Sequence, residues 1–301
     1  MELPERIPQG DMPGDKIEIG EAHIRKADVI FPELVRQLIE VVPENPAKRA
    51  VVTVCGGSGV GKSELASILS YYLNQNGIGS YTLSGDNYPR RIPLYNDAER
   101  LHLFRQGGMR ALAAAEVLTP ERVELVQQWQ REAIDAEPRH LADHPWYAAY
   151  LAGGRQALEG YLGTDKEIDF AEVEQIVRQF KDGQEQIWLK RMGRDEASLW
   201  YEKVDFGPVQ VLIIEWTHGN SDGYRGVDIP ILLNSTPQET LAHRRSRNRD
   251  GAIDSAFTTL VLEIEQRLLQ TQAPKARIIV AKDGTLLSYA DYVKQMHESE
   301  G

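Results

Sequence analysis

The run Ala50-Val51-Val52-Thr53-Val54-Cys55 is apolar and β-branched, and it ends in Gly56-Gly57-Ser58-Gly59-Val60-Gly61-Lys62-Ser63. Glu64-Leu65 then opens an apolar pattern at helical spacing. No other stretch restricts the chain as much, because strand, G-x-x-x-x-G-K-[ST] loop and helix follow one another in the order a phosphate-binding loop requires. Glycines let successive backbone N–H groups converge on one anion, and the helix start adds unsatisfied amides and a positive dipole end. Gly56 through Glu64 therefore read as the cradle for ATP, with Lys62 on the terminal phosphates and the Ser63 hydroxyl on Mg²⁺. The bland alternative is a strand-to-helix turn that binds nothing.

Composition limits what else the chain can be. Its 301 residues, 42% hydrophobic, suffice for one large α/β domain or two small ones. A formal charge of −11 argues against a nucleic-acid or anionic-membrane surface, so any phosphate site must be a local basic pocket. The single cysteine, Cys55, permits no internal disulfide and suits buried strand packing. No run has the roughly 18 apolar residues of a membrane span, and the acidic N-terminus lacks signal-peptide character, so the cytoplasm is the expected compartment.

Residues 1 to about 28 read as an arm rich in Pro, Gly and charge, and Phe31 to Val42 as a helix; together 1–48 would pack on a core domain of 49–301. Ser80 to Asp86 is a second strand, completing a βαβ unit that implies a parallel sheet with ligands at its carboxyl edge. Residues 96–182 are mostly helical and read as an insertion on the substrate side, with Thr119-Pro120-Glu121 a helix start. Gln186–Arg194 and Ser198–Val204 read as paired strands. Further strands are expected at Val209–Glu215, Asp228–Asn234 and Ala276–Ala281, with helices over Phe257–Leu269 and Tyr289–His297.

Asp86 and Glu215 each close a strand, which places carboxylates at the sheet edge for taking a hydroxyl proton or holding Mg²⁺. A turn cap and a strand-end salt bridge are the respective alternatives. Arg244, Arg245, Arg247 and Arg249 form a dense basic patch that suits a lid over 244–256, closing on ATP, if it is not a solvated helix face. Arg90 and Arg91 could grip an anionic acceptor or pair with nearby carboxylates. Tyr88, Asp169, Arg194 and His218 are further candidates for the acceptor site, His218 foremost because it follows the Glu215 strand.

Taken together, these residues resemble the uridine kinase and phosphoribulokinase family of P-loop kinases. The likeness rests on Gly56 to Ser63, on Leu83-Ser84-Gly85-Asp86-Asn87-Tyr88-Pro89-Arg90, and on the order of pieces to about residue 282: Ile168-Asp169-Phe170 opening a helix, Phe180 to Gly183 before a hairpin, Val211 to Glu215, then the arginine cluster. It implies a three-layer P-loop NTPase fold with a mostly parallel central sheet, a helical insertion and an arginine lid. It also implies transfer of the γ-phosphoryl group of ATP, with Mg²⁺, to a hydroxyl of a nucleoside or sugar-phosphate-like metabolite, Asp86 serving as base. Pro89 stands where the family has a second aromatic, and Trp216 replaces its glycine after the strand-end glutamate. An adenylylsulfate-kinase-like enzyme is the alternative within kinases, and a non-catalytic ATP-binding switch the alternative outside them. A small-molecule acceptor is the expected partner; homo-oligomerisation is left open.

Overall fold

The computed structural model describes residues 7, 10–14, 16–235, 239 and 255–300, with side chains to Met296 in the last helix. Arg244, Arg245, Arg247 and Arg249 lie outside the described residues, as does the expected lid except for its last two positions.

Strand β1 (Ala50–Gly56) is the middle of a six-stranded sheet, because all its residues are buried and apolar or small and both of its edges can be paired. It is flanked by β5 (Val211–Glu215) and β6 (Ile229–Leu233); β2 (Ser80–Ser84) lies outside β5, and β7 (Ile278–Val280) outside β6. All these neighbours run parallel, and only the short edge strand β8 (Leu286–Leu287) is antiparallel, to β7. The register aligns Val54 and Ser84 with Glu215, so β2 and β5 end level with one another and β1 runs on to Gly56 beside them. Whatever leaves those three carboxyl ends meets at one edge.

Alternating side chains feed two faces. Val52, Val54, Ile213 and Ile231 pack against α1 (Glu21–Val41) and α2 (Lys62–Gln75). Val51, Leu212 and Ile214 pack against α6 (Phe170–Lys181) and the separate hairpin β3 (Gln186–Met192) and β4 (Leu199–Asp205). Cys55, Leu232 and Ile279 on that second face meet α7 (Ala256–Gln272) and α8 (Tyr289–Glu300). This is the three-layer α/β arrangement expected for a P-loop NTPase fold, and among the described residues no helix is long and apolar enough to cross a membrane.

Helix α1 begins at Glu21, ten residues before the helix expected from Phe31, and carries Pro32 inside it. A proline there removes one helical hydrogen bond, which hides the helix from a propensity reading. Ala27, Ile30, Leu34 and Leu38 nevertheless form one buried stripe at helical spacing across the proline.

Residues 96–182 divide between two structures. Helices α3 (Pro93–Ala114), α4 (Pro120–Arg131) and α5 (Ala148–Glu159) build a cluster of their own around Phe104, Trp129 and Tyr150, to which α7 adds Val261 and Ile264. Helix α6 instead covers the sheet. Thr119 caps α4 through Arg122 N–H at 3.3 Å, and Asp169 caps α6 through Glu172 N–H at 3.2 Å.

Candidate functional site

Gly59 and Gly61 have φ of 77° and 93°, the left-handed turn that lets the loop curl and α2 begin at Lys62. A Cβ on Gly56 would lie 2.9 Å from the Leu233 carbonyl oxygen, so only glycine fits where the loop leaves the sheet. Lys62 Nζ donates to the Gly57 carbonyl at 3.0 Å, curling its ammonium back over the loop. Ser58 and Val60 complete the turn, and Glu64 is fully buried within α2. Helix α1 closes the flank: a Cβ on Gly61 would lie 2.8 Å from His23 Nε2, and Gly20 N–H holds that ring by donating to Nδ1 at 3.1 Å.

Glu215 sits where the aligned strand ends bring it. Ser63 Oγ donates to its Oε2 at 3.2 Å and Ser84 Oγ to its Oε1 at 2.6 Å, so one buried carboxylate ties the phosphate loop to the end of β2. A serine hydroxyl next to a carboxylate oxygen at a phosphate loop is the hard-oxygen donor set that suits Mg²⁺.

Asp86 follows on the single turn Gly85–Asn87 and is exposed, while both its neighbours are buried. Gly85 presses on Trp216, since a Cβ there would lie 2.0 Å from Cγ of that ring. Asn87 accepts from Met192 N–H at 3.0 Å and donates to Asp11 Oδ1 at 3.1 Å. Asp86 is thus held at the sheet edge by clamps on either side of it. The tryptophan that stands in place of the expected glycine is one of those clamps.

Asp11 comes from the segment before α1. It also accepts from Ser84 N–H at 2.6 Å, Tyr81 O–H at 3.0 Å and Arg191 Nη1 at 2.8 Å. Burial pushes its carboxyl up to about 6 against the pull of Arg191 and the Ser84 amide. Nothing local in Gly10-Asp11-Met12 signals this role.

Of the remaining sequence candidates, Tyr88, Arg90 and Asp169 are brought together where Pro89 bridges to Ile168, Asp169 N–H donating to the Tyr88 carbonyl at 2.9 Å. Tyr88 is fully buried in the core, and burial raises its phenol well above the usual value. Arg90 pairs with Asp169 at 3.0 Å, and Arg91 reaches the Tyr161 hydroxyl at 3.1 Å and Glu99 at 3.7 Å. Of the two readings those arginines left open, pairing with carboxylates is the one the geometry displays. Arg194 is exposed in the turn between β3 and β4.

His218 is buried beside Trp216, and burial drives it down to about 4, outweighing the pull of Glu167. Behind it lies a network that the sequence reading missed. Glu167, 1% exposed, accepts from Arg100 Nε at 2.8 Å and Asn96 Nδ2 at 3.0 Å through Oε1, and from Gly163 N–H at 2.7 Å through Oε2. Burial works most strongly against the Glu167 charge, but Arg100 together with His218 and the hydrogen bonds from Gly163 and Asn96 outweighs it and holds the carboxyl below its usual value. Arg100 reaches from α3 toward α7, where Glu265 lies 3.8 Å away, and a cavity of about 320 Å³ opens there beside Ser58 of the phosphate loop.

No family model matches the chain. Over 242 residues, 80% of this chain, it is 36% identical to the bifunctional alpha-galactosidase/sucrose kinase AgaSK of Mediterraneibacter gnavus. It spans 21%, about a fifth, of that relative's length. Among solved structures it is similar to a candidate fructose transport system kinase from Silicibacter sp. TM1040, with TM-score 0.47 and 16% identity over 84% of this chain and 95% of that one. D-glycerate 3-kinase from Cryptococcus neoformans var. grubii gives TM-score 0.46 and 13% identity, over 90% of this chain and 99% of that one.

Proposed function

We infer that the chain is a P-loop kinase, an ATP- and Mg²⁺-dependent phosphotransferase that acts on a hydroxyl of a small metabolite, and that the metabolite is a sugar. The observation that carries the reading is the clamped, exposed Asp86 on the strand edge next to the Ser63–Glu215 pair. A nucleotide switch has no use for such a carboxylate. Of the two activities in the name of the Mediterraneibacter gnavus relative, a phosphate loop belongs with the kinase, and sucrose is the acceptor that name supplies.

Loop amides and Lys62 would hold the ATP phosphates, and Ser63 with Glu215 would hold Mg²⁺, which when bound offsets phosphate charge. Asp86 accepts the proton of the acceptor hydroxyl as its oxygen forms a bond to the γ-phosphorus. The bond from that phosphorus to the β–γ bridging oxygen breaks, and ADP leaves. Arg245, Arg247 and Arg249 are assigned to a lid that offsets the charge of the group in flight.

Asp86→Asn is the test. ATP affinity should stay within about twofold while kcat falls by about 10²–10⁴, the usual worth of a general base. Turnover within a few-fold of the unaltered protein would sink the assignment, and ADP release that ignores the presence of any acceptor would sink the kinase reading itself.

A further inference from the structure

The cavity of about 320 Å³ beside the phosphate loop is lined by Ser58 and by Thr217, which comes two residues after Glu215, so it opens at the same sheet edge as Asp86. That size is at the small end of ligand sites, about 300–1,000 Å³. Its remaining wall is formed by α3 and α7, and the chemistry of that wall is uneven. Phe257 of α7 supplies an aromatic surface with aliphatic neighbours, while Asp97, Arg100 and Glu265 supply planar polar groups.

Those polar groups are prearranged. The buried Glu167 network fixes the Arg100 guanidinium at 2.6 Å, leaving it 3.4 Å from Asp97 and 3.8 Å from Glu265. A guanidinium flanked by carboxylates offers donors and acceptors side by side, which matches the paired hydroxyls on the rim of a sugar ring. The aromatic side matches the C–H face of such a ring. Charge sharpens the choice, since Arg100 stands between two carboxylates, Asp97 and Glu265, in this wall. A phosphate or sulfate held by this wall would meet two carboxylates for one guanidinium and be disfavoured there.

We propose that this cavity is the acceptor subsite and that it takes an uncharged polyhydroxyl ring, held by Asp97, Arg100 and Glu265 against Phe257. The proposal rests on the kinase reading for its name, and its test separates the two. Sucrose, fructose and glucose are titrated calorimetrically into the protein with Mg²⁺ and a non-hydrolysable ATP analogue. ADP release is then compared between these sugars, fructose 6-phosphate, glucose 6-phosphate and adenylylsulfate.

At least one neutral sugar should bind. Glu265→Gln and Asp97→Asn should each weaken that binding about tenfold, the worth of one hydrogen bond to a charged group, with affinity for the ATP analogue within twofold. The Asp97 side chain is 72% exposed, so its variant tests the pocket without a folding penalty. Binding of no neutral sugar, or binding untouched by both substitutions, overturns the proposal. So does faster ADP release with a phosphorylated or sulfated acceptor than with the neutral sugars, an outcome that leaves the kinase reading standing. Sugar binding that the variants weaken, without ADP release from any acceptor, upholds the subsite and overturns the kinase reading.

Discussion

Gly85 and Trp216 show how single residues aim the site. The glycine leaves room for the indole, and the indole stops the turn that presents Asp86 from sinking into the sheet edge. Gly85→Ala would place a methyl 2.0 Å from Trp216 Cγ. We expect a stability loss of about 1–3 kcal/mol by urea unfolding, as for other overpacked cores, and kcat down more than about tenfold as Asp86 shifts. Combining it with Trp216→Leu should restore part of the lost turnover; if Gly85→Ala alone leaves kcat intact, the clamp is not what positions Asp86. Glu215 invites a separate measurement. Its carboxylate accepts from both Ser63 and Ser84, so Glu215→Gln keeps the shape but removes the charge. The Mg²⁺ concentration giving half-maximal rate should then rise by about 10–100-fold, the range seen for groups that orient or support a metal site. An unchanged Mg²⁺ dependence would remove Glu215 from the metal site.

At the scale of elements, the helices that carry the acceptor cavity depend on a crossing made of small residues. Gly107 and Ala111 of α3 face Gly153 and Ala157 of α5: a Cβ on Gly107 would lie 2.5 Å from the Gly153 carbonyl oxygen, and one on Gly153 would lie 2.3 Å from Ala111 Cβ. Gly108 and Gly154 receive the rings of Tyr150 and Phe104 in the same way. Backbones this close leave no slack, because protein interiors are packed to crystal density. Gly107→Val should therefore separate α3 from α5 and cost about 3 kcal/mol or more, with Arg100, two turns earlier on α3, losing its alignment. The signature is a KM for the acceptor raised several-fold in whatever protein stays folded. A KM that holds steady would show that α3 keeps its place without the crossing.

Across the molecule, the buried groups His218 and Asp11 have pH responses that oppose one another. His218 has its folded value lowered to about 4 from 6.5, so the folded state binds fewer protons than the unfolded one between those values. Its contribution is present above pH 6.5 and is lost as pH falls through 4. Asp11 has its folded value raised to about 6 from 3.8, so the folded state binds more protons in that window. Its contribution grows as pH falls from 6 to 3.8. Each shift is worth about 3 kcal/mol, so the two nearly cancel between pH 4 and 6. Replacing one should expose the other: His218→Gln should gain stability as pH falls from 6.5 to 4, and Asp11→Asn should lose it. Urea unfolding at pH 4 and 6.5 checks both signs, and parallel slopes in the two variants would contradict the assignment.

The sequence by itself determined the parts whose physics is local. A β-branched run, a glycine loop and a helix start are neighbours along the chain, so the strand, loop and helix around Gly56 to Ser63 could be read directly. Asp86 and Glu215 were legible because a strand end dictates which sheet edge its next residue occupies. Tertiary structure alone decided what the turn around Asp86 leans on and which residues line the cavity beside Ser58. Asp11 reaches Ser84 and Arg191 across 73 and 180 positions of chain, and Arg100 meets Glu167 across 67. Such pairs leave no periodicity or motif, since they arise only once the parallel sheet stacks its ends and α3 packs beside α7. The arginines at 90 and 91 teach the same lesson in reverse: they stood near Asp86 in sequence as candidates for an anion, and folding brought their own carboxylates to them.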